Sequence, residues 1–188
     1  MARASNATKL TNHKKIVEFA GRQIRTLGLE GLNVSDAMKA AGLTHGGFYR
    51  HFQNRDQLLQ EAIESAFANF LGKMESDLRA FGPKQAFVCF IDRYLSFEHV
   101  MNPGMGCPIA ALSVDICRCS EDCKSTYSNA VHRFMAILEQ MKPQTTTLGE
   151  LDSASIIAFL SGTVTFTRSL AASEEVEHRL SIARSVFL

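Results

Sequence analysis

Residues 33–62, NVSDAMKAAGLTHGGFYRHFQNRDQLLQEA, contain two short predicted helices separated by a glycine turn. Asn33 precedes the first helix as a side-chain acceptor for its free N–H groups, and Gly42 ends that helix. Thr44 is a favourable N-cap for the second helix, which we predict over residues 45–51. A helix, a glycine-containing turn and a second short helix form a helix-turn-helix. Together with the helix before it, the stretch therefore predicts a compact three-helix unit.

The second predicted helix carries two adjacent glycines, Gly46 and Gly47. Each costs about 1 kcal/mol relative to alanine in a helix interior. In a helix-turn-helix this helix enters the major groove, where a missing side chain lets the backbone lie close to DNA or to a neighbouring helix. Its exposed face would carry His45, Gly46, Tyr49 and Arg50, with base reading falling mainly on His45 and Arg50. A purely structural three-helix bundle is the alternative interpretation of the spacing.

Charge is distributed unevenly along a chain whose formal net charge is only +1. Residues 1–55 contain nine Lys/Arg and three Asp/Glu, a net charge of +6, whereas the remaining residues carry a net charge of −5. A basic N-terminal part on an acidic body favours a polyanion-binding role for the first part. Chance clustering of solvated surface charge is the alternative.

The rest of the chain predicts further helices and no strand, so the fold class is all-α with about nine helices. Gly82–Pro83 predicts a helix boundary, and Pro143 ends a later helix. The last two helices are predicted at roughly 150–171 and 173–187.

Composition predicts where the protein works. No apolar run reaches the roughly 18 residues of a membrane helix, and the N-terminus lacks the apolar stretch of a secretion signal. We therefore expect a cytoplasmic protein without membrane contact. The five cysteines should then be thiols, because an odd number without a signal sequence argues against a disulfide framework.

Residues 33–62 resemble the DNA-binding domain of the TetR family of one-component transcriptional regulators. The resemblance rests on AGLT at 41–44, YRHF at 49–52 and RDQLL at 55–59, and it covers about residues 10–65. It implies a helix-turn-helix DNA-binding domain over 1–55 and a helical ligand-binding and dimerisation domain over 56–188. It also implies a homodimeric repressor on near-palindromic double-stranded operator DNA, released by a small-molecule inducer, with no enzymatic activity.

The resemblance assigns roles to eight residues of this chain. Five residues match family positions that usually hold the DNA backbone: Asn33, Thr44, Tyr49, His51 and Arg55. Three others lie at or near family positions that read bases: His45, Gly46 and Arg50. Two alternatives stay open at this stage. Tyr49 could instead pack the turn, and His51 could be an internal strut hydrogen-bonded within the domain.

The last two helices are the candidate dimer interface, because two helices from each subunit would make a four-helix bundle. Their apolar residues at helical spacing are Ile156, Leu160, Val164, Leu170, Val176, Leu180 and Phe187. An ordinary intramolecular core is the alternative for the same residues.

The middle helices would enclose the inducer pocket that the resemblance implies. Their aromatic and Met content suits a small apolar or aromatic ligand. The candidate pocket residues are Phe67, Phe90, Tyr94, Met101, Cys107 and Phe134, each of which could instead be simple core.

Cys107 offers an alternative trigger, since it precedes a predicted helix start where the helix dipole can lower a thiol pKa. Oxidation or electrophile modification of Cys107, or of the cluster Cys117, Cys119 and Cys123, would then control DNA binding. A metal site at that cluster would need a fourth ligand that nothing supplies, so we expect no metal and no cofactor. A small helical thiol enzyme without a DNA role is the remaining alternative.

Overall fold

The computed structural model describes residues 2–143 and 151–188, with side chains from residue 6. Within these ranges every regular element is helical. The α-helices are α1 (Ala2–Leu27), α2 (Val34–Ala40), α3 (Arg55–Tyr94), α4 (Phe97–Met101), α5 (Pro108–Ile116), α6 (Glu121–Met141), α7 (Ser153–Thr167) and α8 (Ser173–Arg184). Two short 3-10 helices lie at His45–Arg50 and Pro103–Met105. The predicted all-α class is confirmed.

The turn of the predicted helix-turn-helix has the geometry expected from its residues. The Asn33 side chain accepts a hydrogen bond from the Asp36 amide at the start of α2. Gly42 follows α2 with a φ of +73°, a conformation that favours glycine. The Gly42 and Leu43 amides donate to the carbonyls of Lys39 and Met38, which closes the end of α2.

The segment after this turn is buried on one side only. Phe48 and Phe52 belong to the same buried cluster as Ile16, Ala20 and Ile24 of α1, and they stack on each other at 5.4 Å between ring centroids. The helix predicted over 45–51 is a 3-10 helix, His45–Arg50, which is tighter than an α-helix and shorter than predicted by one residue.

Helix α3 turns back on itself at the predicted boundary. Gly82 has a φ of +74°, and Pro83 follows it, so the backbone leaves helical geometry there although helix continues on both sides. Asp77, before the bend, is nearly fully buried and bonded by Lys73 at 2.9 Å and by Arg93, beyond the bend, at 2.8 Å. This ion pair joins the two halves of α3.

Residues 56–188 form the larger part of the protein, and its core lies between α3, α6 and the last two helices. Rings from both halves of α3 meet α6 at Phe134, whose centroid lies 5.3 Å from that of Phe70 and 5.9 Å from that of Phe90. Such edge-to-face pairs stabilise a core beyond the area that they bury.

Two predicted helix bounds in the C-terminal part change. The helix predicted at roughly 150–171 is Ser153–Thr167, residue 150 lying outside the described residues, and the last helix ends at Arg184 instead of 187. Among the described residues, no helix is both long and apolar enough to cross a membrane.

Candidate DNA-binding surface and cavity

The recognition segment, residues 44–51, presents most of its predicted DNA-contacting residues to solvent. Thr44, His45, Gly46 and Arg50 are exposed, and Tyr49 is 77% exposed. Tyr49 also lies edge-on to the Phe48 ring at 5.4 Å, so it both packs on the turn and remains accessible. The predicted capping by the Thr44 side chain is wrong. Its backbone occupies the N-cap position, but its hydroxyl makes no capping hydrogen bond.

The two glycines of this segment have different surroundings. A Cβ added at Gly47 would lie 3.4 Å from Met38 Cε, so Gly47 allows the close packing of α2. A Cβ added at Gly46 would meet no atom within 4 Å. Packing within the chain therefore gives no reason for glycine at position 46.

Two further predicted DNA contacts, Asn33 and Arg55, are exposed but already hold local structure. Besides capping α2 with its side chain, Asn33 donates its backbone N–H to Gln23 Oε1 at 3.1 Å. Arg55 donates from Nη2 to the carbonyl of Leu29 at 2.9 Å, which ties the start of α3 to the end of α1. His45 is similarly supported, since its Nδ1 lies 3.0 Å from Ser35 Oγ.

His51 is half-buried and does not act as a hydrogen-bonded strut. Its Nδ1 is buried without a hydrogen-bond partner among the described residues, and its ring lies 5.8 Å from that of His13. Burial lowers the pKa of His51, and the nearby His13 and Lys9 lower it further. The imidazole is therefore neutral at pH 7 in the free protein.

A cavity of about 350 Å³ opens where the two halves of α3 face each other. It is lined by Asn69, Phe70, Lys73, Phe90, Arg93, Tyr94, Ser96, Glu98, His99, Asn102, Met105 and Gly106. The aromatic rings of Phe70, Phe90 and Tyr94 and the cations of Lys73 and Arg93 therefore line the same cavity. This is a mixed apolar and polar lining, suited to orienting a small molecule.

Of the six predicted pocket residues, Phe90 and Tyr94 line this cavity. Phe67 and Phe134 are fully buried core residues behind it, whereas Met101 is 63% exposed. Cys107 is fully buried beside Tyr94. The predicted set lacks the polar residues Asn69, Lys73 and Arg93. Asn69 and Lys73 are four positions apart, a helical spacing, on the half of α3 that the Gly82 bend folds against residues 90–94.

His99 is held as a neutral imidazole in the cavity wall. Its Nε2 accepts a hydrogen bond from the Cys107 amide at 2.8 Å, so Nδ1 carries the proton and donates to the Tyr94 carbonyl at 2.6 Å. Burial lowers the pKa of His99 to about 4, with nearby Arg168 contributing.

The Tyr94 hydroxyl and the Cys107 thiol are buried next to each other. Tyr94 Oη has no hydrogen-bond partner of ordinary geometry among the described residues. Burial raises the pKa of the Cys107 thiol, although Cys107 stands at the N-cap position of α5. The predicted lowering of this pKa by the helix start is therefore wrong, because desolvation of the thiolate outweighs the favourable helix end.

The cavity wall is bonded to the first helix. Arg25 of α1 is buried and donates from Nη1 to the carbonyl of Gly106 at 2.9 Å. Burial lowers the pKa of Arg25 to about 10, which leaves it charged at neutral pH. A second bond lies nearby, since Asp115 Oδ2 on α5 accepts from the Leu29 amide at 3.0 Å. The end of α1 is thus held by two segments of the larger part.

The predicted dimer-interface residues lie inside the subunit. Six of them are buried in its own core and Leu170 is partly buried against it: Ile156, Leu160, Val164, Leu170, Val176, Leu180 and Phe187. Exposed apolar side chains lie on the opposite faces of α7 and α8 and in the segment just after α8, namely Phe159, Phe166, Ile182 and Val186. We call these four residues the exposed apolar face. A Cβ added at Gly162, on the same side of α7, would meet no atom within 4 Å.

Among the described residues, no group of three or more His, Cys, Asp or Glu side chains is arranged to hold a metal ion. Cys117 is exposed, Cys119 half-buried and Cys123 buried. Burial and the neighbouring Cys123 raise the pKa of the Cys119 thiol.

These features define a helix-turn-helix DNA-binding protein with a helical regulatory part. Residues 16–62 match the family model described as bacterial regulatory proteins, tetR family. Residues 16–62 therefore carry the DNA-binding domain of the TetR family of transcriptional regulators, as the resemblance of residues 41–59 predicts.

Several solved structures share the fold over nearly the whole chain. The reduced form of NemR from E. coli matches with a TM-score of 0.74 and 16% identity, covering 93% of this chain and 96% of that one. AibR, in complex with isovaleryl coenzyme A and operator DNA, matches with a TM-score of 0.67 and 16% identity, covering 94% and 97%. FadR from Bacillus subtilis, in complex with stearoyl-CoA, matches with a TM-score of 0.62 and 18% identity, covering 93% of this chain and 95% of that one. No curated protein is significantly similar in sequence.

Proposed function

We propose that this DNA-binding regulator is a homodimeric repressor that works in the cytoplasm and leaves its operator when a small molecule occupies the cavity. Residues 1–55 form the DNA-binding domain in this proposal, and residues 56–188 form the ligand-binding and dimerisation domain. The observation that carries it is the hydrogen bond from Arg25 to Gly106, because Gly106 lines the cavity while Arg25 belongs to the helix that supports the helix-turn-helix.

In this proposal the recognition segment enters the major groove of near-palindromic duplex DNA. His45 and Arg50 read base edges, and Gly46 brings the backbone close to them. Phosphates are held by the remaining predicted contacts, Asn33, Thr44, Tyr49, His51 and Arg55. The exposure of most of these side chains, and the open space around Gly46, support the assignment.

The ligand we propose is a small amphipathic molecule. Its apolar or aromatic body would lie against Phe70, Phe90 and Tyr94, and its polar end near Lys73 and Arg93 at the rim. The Tyr94 hydroxyl, whose neighbour is the weakly hydrogen-bonding Cys107 thiol, supports a ligand with a hydrogen-bonding group. The acyl thioesters bound by AibR and FadR also combine an apolar chain with an anionic part.

Release follows from the connection between the cavity and α1. A ligand that displaces Met105 and Gly106 would move the acceptor of the Arg25 hydrogen bond, and with it the end of α1. The ligand weakens DNA binding to the extent that it binds the DNA-free form more tightly than the DNA-bound form. Each tenfold difference between these two affinities corresponds to about 1.4 kcal/mol.

The test uses ligands selected by thermal shift and DNA selected in vitro with the wild-type protein. Arg25→Met should still be stabilised by the ligand, but the ligand should no longer release its DNA in a fluorescence anisotropy titration. Arg22→Met removes an exposed arginine of the same helix and serves as the matched control. Normal ligand release by Arg25→Met would refute this route.

Dimerisation through the exposed apolar face has its own test. Phe166→Glu places a charge at a residue that is 55% exposed in the subunit, and we expect it to give monomers in light scattering and to weaken DNA binding. Phe81→Glu makes the same change at a residue that is 57% exposed elsewhere, and it should remain a dimer. Dimers of both variants, or monomeric wild-type protein, would contradict the proposed interface.

Ligand binding is favoured over modification of Cys107 as the trigger. The Cys107 thiol is fully buried and its pKa is raised, and both properties slow attack on an oxidant or electrophile. If an electrophile releases DNA from the wild-type protein but not from Cys107→Ala, the thiol trigger replaces the ligand trigger.

A further inference from the structure

A groove of about 720 Å³ lies between the start of α1 and the recognition segment. On the α1 side it is lined by Thr8, Lys9 and Asn12, and on the other side by Leu43, Thr44, Gly47, Arg50 and His51. Three predicted DNA contacts therefore share one concave surface with side chains from a different helix.

The α1 wall lies outside the helix-turn-helix and outside the family match, which begins at residue 16. Residues 8, 9 and 12 fall on one face of the helix, as expected from 3.6 residues per turn. Lys14 and Glu18 lie on the opposite face, where they line a separate cleft against α3 and α6. The face of α1 that meets the recognition segment is thus distinct from the face that meets the larger part.

The groove is electropositive. Lys9 and Arg50 contribute cations, and none of the described residues that line it is acidic. The carboxylate of Glu61 lines the separate cleft and is bonded to His13 Nε2, whose ring lies 5.8 Å from that of His51. Burial, followed by the nearby His13 and Lys9, lowers the pKa of His51, so the imidazole is neutral and the charges in the groove come from Lys9 and Arg50.

We propose that this groove holds a phosphate of bound duplex DNA, with Lys9 and Asn12 of α1 on one side and Thr44 and His51 on the other. The start of α1 then belongs to the DNA-contacting surface. A point charge from Lys9 and a side-chain amide from Asn12 are ordinary phosphate partners, which position the protein on the duplex without reading its sequence. This inference rests on the proposed DNA-binding role of the recognition segment.

The salt dependence of binding to a random-sequence 30-base-pair duplex tests the groove, because no operator has to be known. Each phosphate neutralised contributes about 0.9 to the slope of log K against log salt concentration. We expect Lys9→Gln to lower the slope by about 0.9 per subunit, which makes binding about 8-fold weaker per lost contact at 0.1 M salt. Asn12→Asp, which places a carboxylate in the groove, should weaken binding as well.

Lys14→Gln is the matched control, since it removes the same charge from the same helix on the opposite face. It should leave the slope close to the wild-type value. Circular dichroism and the thermal midpoint establish that all variants are folded, as expected for changes at exposed or half-buried positions.

The outcomes separate this inference from the function on which it rests. If the wild-type protein does not bind the duplex at 50 mM salt, the proposed DNA-binding function fails. If the wild-type protein binds and Lys9→Gln behaves like Lys14→Gln, the groove does not hold a phosphate, whereas the helix-turn-helix assignment stands. The inference is supported if the slope of log K against log salt concentration falls in Lys9→Gln but not in Lys14→Gln, and if Asn12→Asp binds the duplex more weakly than the wild-type protein.

Discussion

Replacing Gly46 by leucine should separate folding from DNA binding. Gly46 is exposed and has no positive φ, and an added Cβ would meet no atom within 4 Å, so we expect the free protein to accept a side chain at this position. Replacing a glycine whose conformation another residue can adopt stabilises a protein by about 0.4–1 kcal/mol through the unfolded state. For a chain of this size, 1 kcal/mol shifts the thermal midpoint by roughly 2–4 °C. We therefore expect a midpoint equal to or slightly above that of the wild-type protein.

In the complex the same leucine would stand between the backbone and the groove. It should push His45 and Arg50 away from the base edges. Each good base contact contributes about 1–3 kcal/mol of discrimination, so losing both should cost at least about 2 kcal/mol, or roughly 30-fold in affinity.

The assay is fluorescence anisotropy at fixed salt on a duplex recovered by in vitro selection with the wild-type protein. Gly72→Leu is the matched control, because a Cβ at Gly72 also meets no atom within 4 Å, and Gly72 lies on α3 far along the chain from the recognition segment. Wild-type affinity of Gly46→Leu would show that Gly46 does not face the groove. A strongly lowered midpoint would instead refute the argument about open space.

Three other predictions concern stability and thiol reactivity. Asp77→Asn should destabilise the protein by about 1–3 kcal/mol, because a nearly buried carboxylate loses its charged hydrogen bonds to Lys73 and Arg93. Burial alone would raise the pKa of Asp77, but these bonds and charges lower it below its ordinary value, so its stabilising contribution is present at neutral pH and is lost as pH falls through the folded-state pKa. In urea unfolding the difference between wild type and Asp77→Asn should therefore shrink on acidification, and a constant difference would contradict the assignment. Gly42→Ala should cost about 1 kcal/mol in the same assay, since its φ of +73° strains any side chain although the surrounding space is open. In timed iodoacetamide labelling followed by mass spectrometry, the exposed Cys117 should react well before the buried Cys107, and equal rates would show that the structure around Cys107 opens readily.

Local signals in the sequence predicted most of the helical framework. Asn33, Gly42 and the Gly82–Pro83 pair act through their own backbone and side-chain chemistry, so their effects on helix ends do not depend on distant residues. Thr44 takes the predicted N-cap position, but its hydroxyl makes no capping hydrogen bond. The residue type permits capping, but the side-chain rotamer that decides it depends on the surroundings.

The cavity and the apolar faces could be predicted only in part. The spacing of Phe90 and Tyr94 indicates one face of a helix, but nothing local shows that the bend at Gly82 brings Phe70 and Lys73 opposite them. Helix α7 carries apolar residues on more than one face, so periodicity alone did not show that Leu160 points into the subunit and Phe166 out of it.

The sequence by itself determined the all-α class, the helix-turn-helix and its family, because these depend on residue types at short, regular spacings. Only the tertiary structure decided which residues line the cavity, which apolar face stays exposed and what the thiol of Cys107 can do. Burial and neighbouring charges set these properties, and both come from residues far apart in the chain. The bond from Arg25 to Gly106, across 81 positions, is such a case. Neither residue is distinctive in the sequence, and only the packing of α1 against the cavity wall brings them together.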